Sequence, residues 1–120
     1  MLNSYQDLKV WQKSIDLVVE VYSLTKFFPK EELYITVSQI RRAAISIPSN
    51  IAEGYSRKNR PEYLQFLRIA LSSASELETQ LIIVKKLKFV TEDKIGKIEE
   101  MLKEILRMLN ALINSLSSKP

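Results

Sequence analysis

Apolar residues recur at every third or fourth position along almost the whole chain, and this spacing limits the fold more than any other feature. Side chains spaced this way share one face of an α-helix, whereas a half-buried strand needs strict alternation. The four series are Leu8, Trp11, Ile15, Val18 and Tyr22; Leu33, Val37, Ile40, Ala44, Ile47 and Ile51; Tyr63, Leu67, Ala70, Ala74, Leu77, Leu81 and Val84; and Ile95, Ile98, Leu102, Ile105, Leu109, Leu112 and Leu116. The sequence therefore predicts four amphipathic helices.

Turn and capping residues set the predicted ends of these helices. Phe28-Pro29 stops the first helix, Gly54 is placed to end the second, and Pro61 suits the first turn of the third. The predicted spans are 8–26, 31–55, 61–88 and 92–116. The short connections make successive helices antiparallel neighbours. We therefore expect an all-α, antiparallel up-down-up-down four-helix bundle that forms one domain over residues 1–120.

One residue breaks the helical pattern. Pro48 lies inside the second helix, where it cannot donate to the carbonyl of Ala44 and crowds that turn. A kink or break is expected there, either as a bend that wraps the bundle or as one that shapes an oligomer or ligand surface.

The composition excludes most catalytic chemistry. The 120 residues contain no cysteine, no histidine and two glycines. This excludes Ser–His and Cys–His pairs, His-ligated zinc, Glu-x-x-His di-iron sites and Gly-rich phosphate loops. No carboxylates are paired at a convincing spacing, so we expect a protein that is not an enzyme, with no metal, cofactor or small-molecule substrate.

Two observations suggest where the protein resides. The N-terminal residues are polar, unlike a signal peptide, and no apolar run approaches the ~20 residues of a membrane span. We expect a cytoplasmic protein that does not bind membranes.

The helices carry more apolar surface than the four series account for. Additional apolar residues occupy a second column on the first helix and another on the fourth. A wide monomeric core is one interpretation, but columns of this extent exceed what soluble monomers expose. We therefore favour a homo-oligomer, with an interface formed by Val10, Leu17, Val21, Leu24, Leu106 and Ile113.

Positive charge concentrates around the connection between the second and third helices. The net charge is +4, and residues 41–68 contain six basic residues against two acidic ones. Arg57, Lys58 and Arg60 crowd this connection, either as a solvated turn or as a contact for nucleic-acid phosphates that symmetry would multiply. Tyr55 and Tyr63 flank the cluster and suit either base stacking or core packing.

Arg41 and Arg42 are the second candidate site. Antiparallel packing would set Arg41 level with Ala74, so that the two arginines can form ion pairs with Glu76 or Glu78. Contact with phosphates is the alternative. A further pair is expected between Glu53 and Arg57, four residues apart.

Three segments resemble a known family. They are RRAAISIPSNIAEG at 41–54, YQDLKVWQK at 5–13, and YLQFLRIA at 63–70 followed by Ser73 and ELETQL at 76–81. The chain resembles the 23S rRNA intervening-sequence protein family over roughly residues 5–90, although Ser72 stands where that family often has glycine. The resemblance implies a bacterial four-helix bundle, typically a homopentamer and often encoded within inserts in 23S rRNA genes.

The family's biochemical role is not established, so two functions are weighed. The resemblance extends to the accessory variability protein of diversity-generating retroelements, a basic pentamer that binds nucleic acid. The favoured hypothesis is a homo-oligomer that binds RNA or DNA through Arg57, Lys58, Arg60, Arg41 and Arg42, with little sequence specificity. The alternative is a protein-interaction scaffold whose apolar helix faces dock a different protein, without nucleic-acid binding.

Overall fold

Helices account for almost all of the structure, a computed structural model that describes residues 3–118. The helices are α1 (Lys9–Thr25), α2 (Ser38–Tyr55), α3 (Arg60–Leu87) and α4 (Glu92–Ser117), with a 3₁₀ turn at Tyr5–Asp7 before them. A 3₁₀ turn at Lys30–Glu32 and a π-helical turn at Leu33–Val37 lead directly into α2. The four predicted helices are confirmed, and the ends of each helical run differ from the prediction by one residue at most.

Pairs of contacts between helices fix their directions. Lys13 contacts Glu104 and Glu20 contacts Lys97. Residue numbers therefore rise along α1 as they fall along α4, which means that the two helices are antiparallel. Lys85–Glu99 and Arg68–Ser117 show the same relation between α3 and α4, as do Ser46–Ser73 and Gly54–Phe66 between α2 and α3. All four helices therefore alternate in direction around the bundle.

The hydrophobic core is a single cluster to which all four helices contribute. The predicted columns of α2, α3 and α4 supply most of it, including the fully buried Ile47, Leu77 and Leu109. Leu33 is an exception, because the π-helical turn leaves this predicted core residue 45% exposed.

The prediction for α1 is wrong about which column faces inward. Val10, Leu17, Val21 and Leu24, expected at an oligomer interface, are buried within the single chain, whereas the predicted core residue Ile15 is exposed. The buried column also contains Ser14 and Thr25, which obscure its apolar character in the sequence. Their hydroxyls donate to the carbonyls of Trp11 and Tyr22, three residues earlier in each case, which makes burial tolerable.

The corresponding assignment on α4 also needs correction. Ile113 is buried in the core of the chain, so it too is not an interface residue. Leu106 is partly buried and packs against the same core. The core of one chain is wider than the sequence pattern indicates, and it covers the residues assigned to a contact with a second subunit.

Gly54 allows α2 and α3 to approach each other closely. A Cβ at this position would lie 2.8 Å from Cβ of Phe66 and 3.2 Å from the carbonyl oxygen of Tyr63. The helix continues to Tyr55 with an ordinary negative φ at the glycine. Gly54 is therefore a packing residue and not, as predicted, a helix terminator.

Pro48 does not break α2. The helix runs without interruption from Ser38 to Tyr55, with Pro48 buried inside it. The Asn50 side chain donates to the carbonyl and the hydroxyl of Ser46, at 2.8 and 2.9 Å, one turn away. The Ser46 hydroxyl also lies 2.8 Å from the hydroxyl of Ser73, so a polar network beside the proline connects α2 to α3.

The two glycines provide a matched test of this packing. We expect Gly54→Ala to lower the free energy of unfolding by about 1–3 kcal/mol, because the added methyl forces α2 and α3 apart. Gly96→Ala should raise it by about 0.5–1 kcal/mol, since nothing lies within 4 Å and alanine favours the helix. Urea unfolding at one fixed protein concentration measures both, and a Gly54→Ala protein as stable as the wild type would contradict the packing role.

Candidate nucleic-acid interface

The connection between α2 and α3 holds its basic residues in a defined turn. The side-chain oxygen of Asn59 accepts from the backbone N–H of Glu62 at 2.9 Å, which caps the start of α3, and Pro61 follows in its first turn. Lys58 and Arg60 flank this cap and are exposed. The turn therefore presents cations beside the positive end of the α3 dipole, an arrangement that favours anions.

Arg57 is already partly neutralised. Its guanidinium lies 3.1 Å from the carboxylate of Glu53, which confirms the expected pair, and 3.9 Å from that of Glu62. It also stacks over the ring of Phe66 at 4.7 Å from the centroid, a contact the sequence pattern gave no reason to expect. All three charged groups are well exposed, so these pairs contribute little stability. Their main effect is to orient Arg57 along the helix surface.

Arg41 points toward α1 rather than α3. Its Nε donates to the hydroxyl of Thr25 at 2.9 Å, and its guanidinium lies over the Tyr22 ring at 4.3 Å from the centroid. The arginine is half-buried. The sequence pattern does not predict Tyr22 and Thr25 as partners because they belong to different columns of α1, although their spacing places them in one turn.

Arg42 lies between a groove that it shares with Arg41 on the α1 side of α2 and a second groove on the α3 side. It is exposed and lines a groove between α2 and α3 together with Glu76. Within residues 3–118, neither Arg41 nor Arg42 has a carboxylate within 4.0 Å, so the expected ion pairs with Glu76 or Glu78 do not form in the single chain.

The five predicted basic residues form two groups instead of one site. Arg42 and Arg57 are separated by 15 positions, so about 22 Å of helix lies between them. Arg57, Lys58 and Arg60 occupy one end of the bundle, while Arg41 and Arg42 lie on the side of α2. The end of the bundle is therefore the principal candidate for phosphate contact.

The two tyrosines beside the turn pack against each other. The rings of Tyr55 and Tyr63 meet edge to face, with centroids 6.0 Å apart and an interplanar angle of 88°. Burial, followed by the effect of Tyr55, raises the pKa of Tyr63 to about 12. Neither ring lies open as a flat platform for a base, so packing accounts for this pair better than stacking on nucleic acid.

No helix within residues 3–118 has the length and apolar character needed to cross a membrane.

The raised pKa of Tyr63 gives a pH prediction. The unfolded tyrosine titrates near 10.0 and the folded one near 12, so the folded state holds the proton more tightly. Its contribution to stability is complete below pH 10 and is lost as the pH rises from 10 to 12. Tyr63→Phe should abolish the latest tyrosinate absorbance step and flatten the fall in stability over this interval.

Tyr34→Phe is the control for this titration, because Tyr34 is 89% exposed and lies on the surface. It should leave the step near pH 12 in place. Loss of that step in the Tyr34 variant, or its persistence in the Tyr63 variant, would show that burial of Tyr63 is not its cause.

Comparisons with known proteins agree with this geometry. A solved structure from Bacteroides thetaiotaomicron, described as a protein with unknown function from the S23 ribosomal protein family, is 28% identical to the chain and superimposes with a TM-score of 0.81. The alignment covers 87% of this chain and 97% of that one. Among curated proteins, none matches the chain. The model of the family described as 23S rRNA-intervening sequence protein matches residues 6–111, and the chain therefore belongs to that family.

Proposed function

We propose that this protein is a non-enzymatic helical bundle that assembles with copies of itself and binds RNA or DNA with little sequence preference. The observation that carries the proposal is the exposed turn at one end of the bundle, where Arg57, Lys58 and Arg60 lie within four residues beside the start of α3. Such a turn contacts phosphates and offers no pattern of groups to read bases. The proposal places the protein in the cytoplasm, with its nucleic-acid ligand.

Self-association is needed because one copy offers little net charge here. Between residues 53 and 62, three basic residues face Glu53 and Glu62, which leaves a single excess positive charge. Several copies with their turns at the same end would add these charges and focus their potential on an anionic ligand. The family resemblance implies five copies.

A specific observation favours the second candidate, a scaffold for a different protein. Leu33, Tyr34 and Ile35 are consecutive exposed apolar residues at the start of the second helical run, with Tyr34 89% exposed. Aromatic and apolar side chains of this kind anchor protein interfaces. If this is the main function, the protein will copurify with a different protein and show negligible affinity for nucleic acid near ~150 mM salt.

Replacing the three basic residues of the turn tests the nucleic-acid proposal. We expect Arg57→Ala/Lys58→Ala/Arg60→Ala to weaken binding of a labelled RNA by roughly tenfold or more at low salt. The slope of log affinity against log salt should decrease by about one per lost phosphate contact. Fluorescence anisotropy with unrelated RNA and DNA sequences measures both effects.

The matched control removes three cations from α4. Lys97→Ala/Lys103→Ala/Arg107→Ala changes the net charge equally, and all three residues are exposed. It should retain most of the affinity and the salt slope. Equal losses in the two triple variants would indicate a response to total charge alone, and wild-type binding by the turn variant would refute the site.

Freeing Arg57 should have the opposite effect. We expect Glu53→Gln to strengthen RNA binding, by about twofold to fivefold at low salt, because it removes both the partner of Arg57 and a carboxylate that repels phosphate. Glu100→Gln is the control, since Glu100 is an exposed partner of Lys103 on α4. A gain of the same size in both variants would assign the effect to net charge.

A further inference from the structure

We propose that two adjacent faces of the bundle, which share α2, bind each other in neighbouring copies of this chain and so close a ring. The inference rests on the self-association in the proposed function and names the surfaces that produce it. They differ from the columns that the sequence suggested, which are buried. The first surface is the α1–α2 face and the second is the α2–α3 face.

The α1–α2 face combines apolar surface with positive charge. A groove of about 480 Å³ runs along it, lined by Tyr22, Leu33, Tyr34, Ile45 and both arginines among others. Ile45 is 41% exposed. The lining includes Arg41 and Arg42 and no carboxylate. This face therefore offers apolar contacts and hydrogen-bond donors.

The α2–α3 face supplies the complementary groups. Ile35 and Ile83, which are 60% and 49% exposed, line a hollow of about 230 Å³ together with Gln80. The side-chain oxygen of Gln80 is buried and accepts no hydrogen bond. Glu76 is exposed on the same side of α3 and has no cation within 4.0 Å among the described residues. Arg42 lies at the edge that the two faces share and also lines the groove beside Glu76. What the α2–α3 face adds is the unpartnered oxygen of Gln80 and a carboxylate without an ion pair in the described residues.

The surface of α4 differs from these two faces, although Phe27 and Ile82 are exposed where α1 and α3 border it. Lys13–Glu104 and Glu20–Lys97 bridge α1 to α4, and Lys85–Glu99 bridges α3 to α4. None of the exposed large apolar side chains in residues 3–118 belongs to α4. By contrast, Arg41 and Arg42 are the only charged residues between positions 37 and 52 of the sequence. Depletion of charge beside apolar and aromatic side chains marks a surface that another protein covers.

A second copy is the partner that fits, because one chain carries both halves of the contact. The arginines of the first face would meet Glu76 and the unpartnered oxygen of Gln80 on the second. A contact between two different faces is heterologous, and it continues from copy to copy until it closes. Adjacent faces of a four-helix bundle meet at roughly a right angle, so each contact rotates the next copy by a large angle. A few copies therefore close a small ring, with α2 on its inner side.

Two single substitutions test the pairing of faces. Ile45→Asp blocks the α1–α2 face and Ile83→Asp blocks the α2–α3 face, each at an exposed position. Each variant alone should sediment as a single chain of 13.9 kDa. An equimolar mixture should form a species of twice that mass, because each variant retains the face that the other lacks. Ala111→Asp, on the exposed side of α4, should assemble as the wild type does.

The outcomes separate this inference from the broader proposal. A wild-type protein that sediments as a single chain at micromolar concentration would overturn self-association and the ring together. A wild-type oligomer that both variants preserve would overturn only these faces. If both variants are monomers whose mixture stays monomeric, the pairing of the α1–α2 face with the α2–α3 face is wrong. Circular dichroism checks that each variant is folded, and RNA binding by the monomeric variants is measured separately.

Discussion

The close approach of α2 and α3 is the constraint on which the rest of the structure depends. Gly54 lets the helices meet where any side chain would collide with Phe66 and Tyr63. Farther along, the hydroxyls of Ser46 and Ser73 join at 2.8 Å, with alanines buried on both helices nearby. Small residues along this contact hold the two helices at short distance, so the connection between them must be tight. The connection spans only residues 56–59, so Arg57, Lys58 and Arg60, which are neighbours in the sequence, lie at one end of the bundle.

The same contact explains the unusual surface of α2. Packing against α3 on one side and α1 on the other buries its apolar column and leaves grooves along both edges. Ile35 lines a hollow on the α3 side and Ile45 lines the groove on the α1 side, with Arg42 between them. If the outer side of α2 faced only water, charged residues would be expected at these positions. The outer side of α4 has such residues in Lys97, Glu100 and Lys103. The sequence of α2 instead has the composition of a helix with neighbours on nearly every side.

The apolar periodicity predicted the helices well because one apolar face is enough to identify a helix from its sequence. It failed on α1, where two columns compete and the buried one contains Ser14 and Thr25. Their hydroxyls bond to carbonyls of their own helix, so burial costs little, and no pattern of residue types records this. The prediction for Gly54 failed for a related reason, since its role depends on Phe66 and Tyr63, which lie on the next helix. The π-helical turn at Leu33–Val37 likewise left no signal in the apolar spacing.

The candidate site was predicted only where local sequence determines it. The pair formed by Glu53 and Arg57 follows from helical spacing, whereas the directions of Arg41 and Arg42 depend on which groove each side chain enters.

The division between the arginines of the turn and those of α2 also bears on function. In a ring built by rotation about one axis, every copy points the same way along that axis. The turns that carry Lys58 would then all lie on one rim when the bundles stand upright, while Arg41 and Arg42 would be used within the contacts between copies. Nucleic-acid binding and assembly would thus draw on separate arginines, those of the turn and those of α2, and the weak charge of one turn would become strong only through the ring.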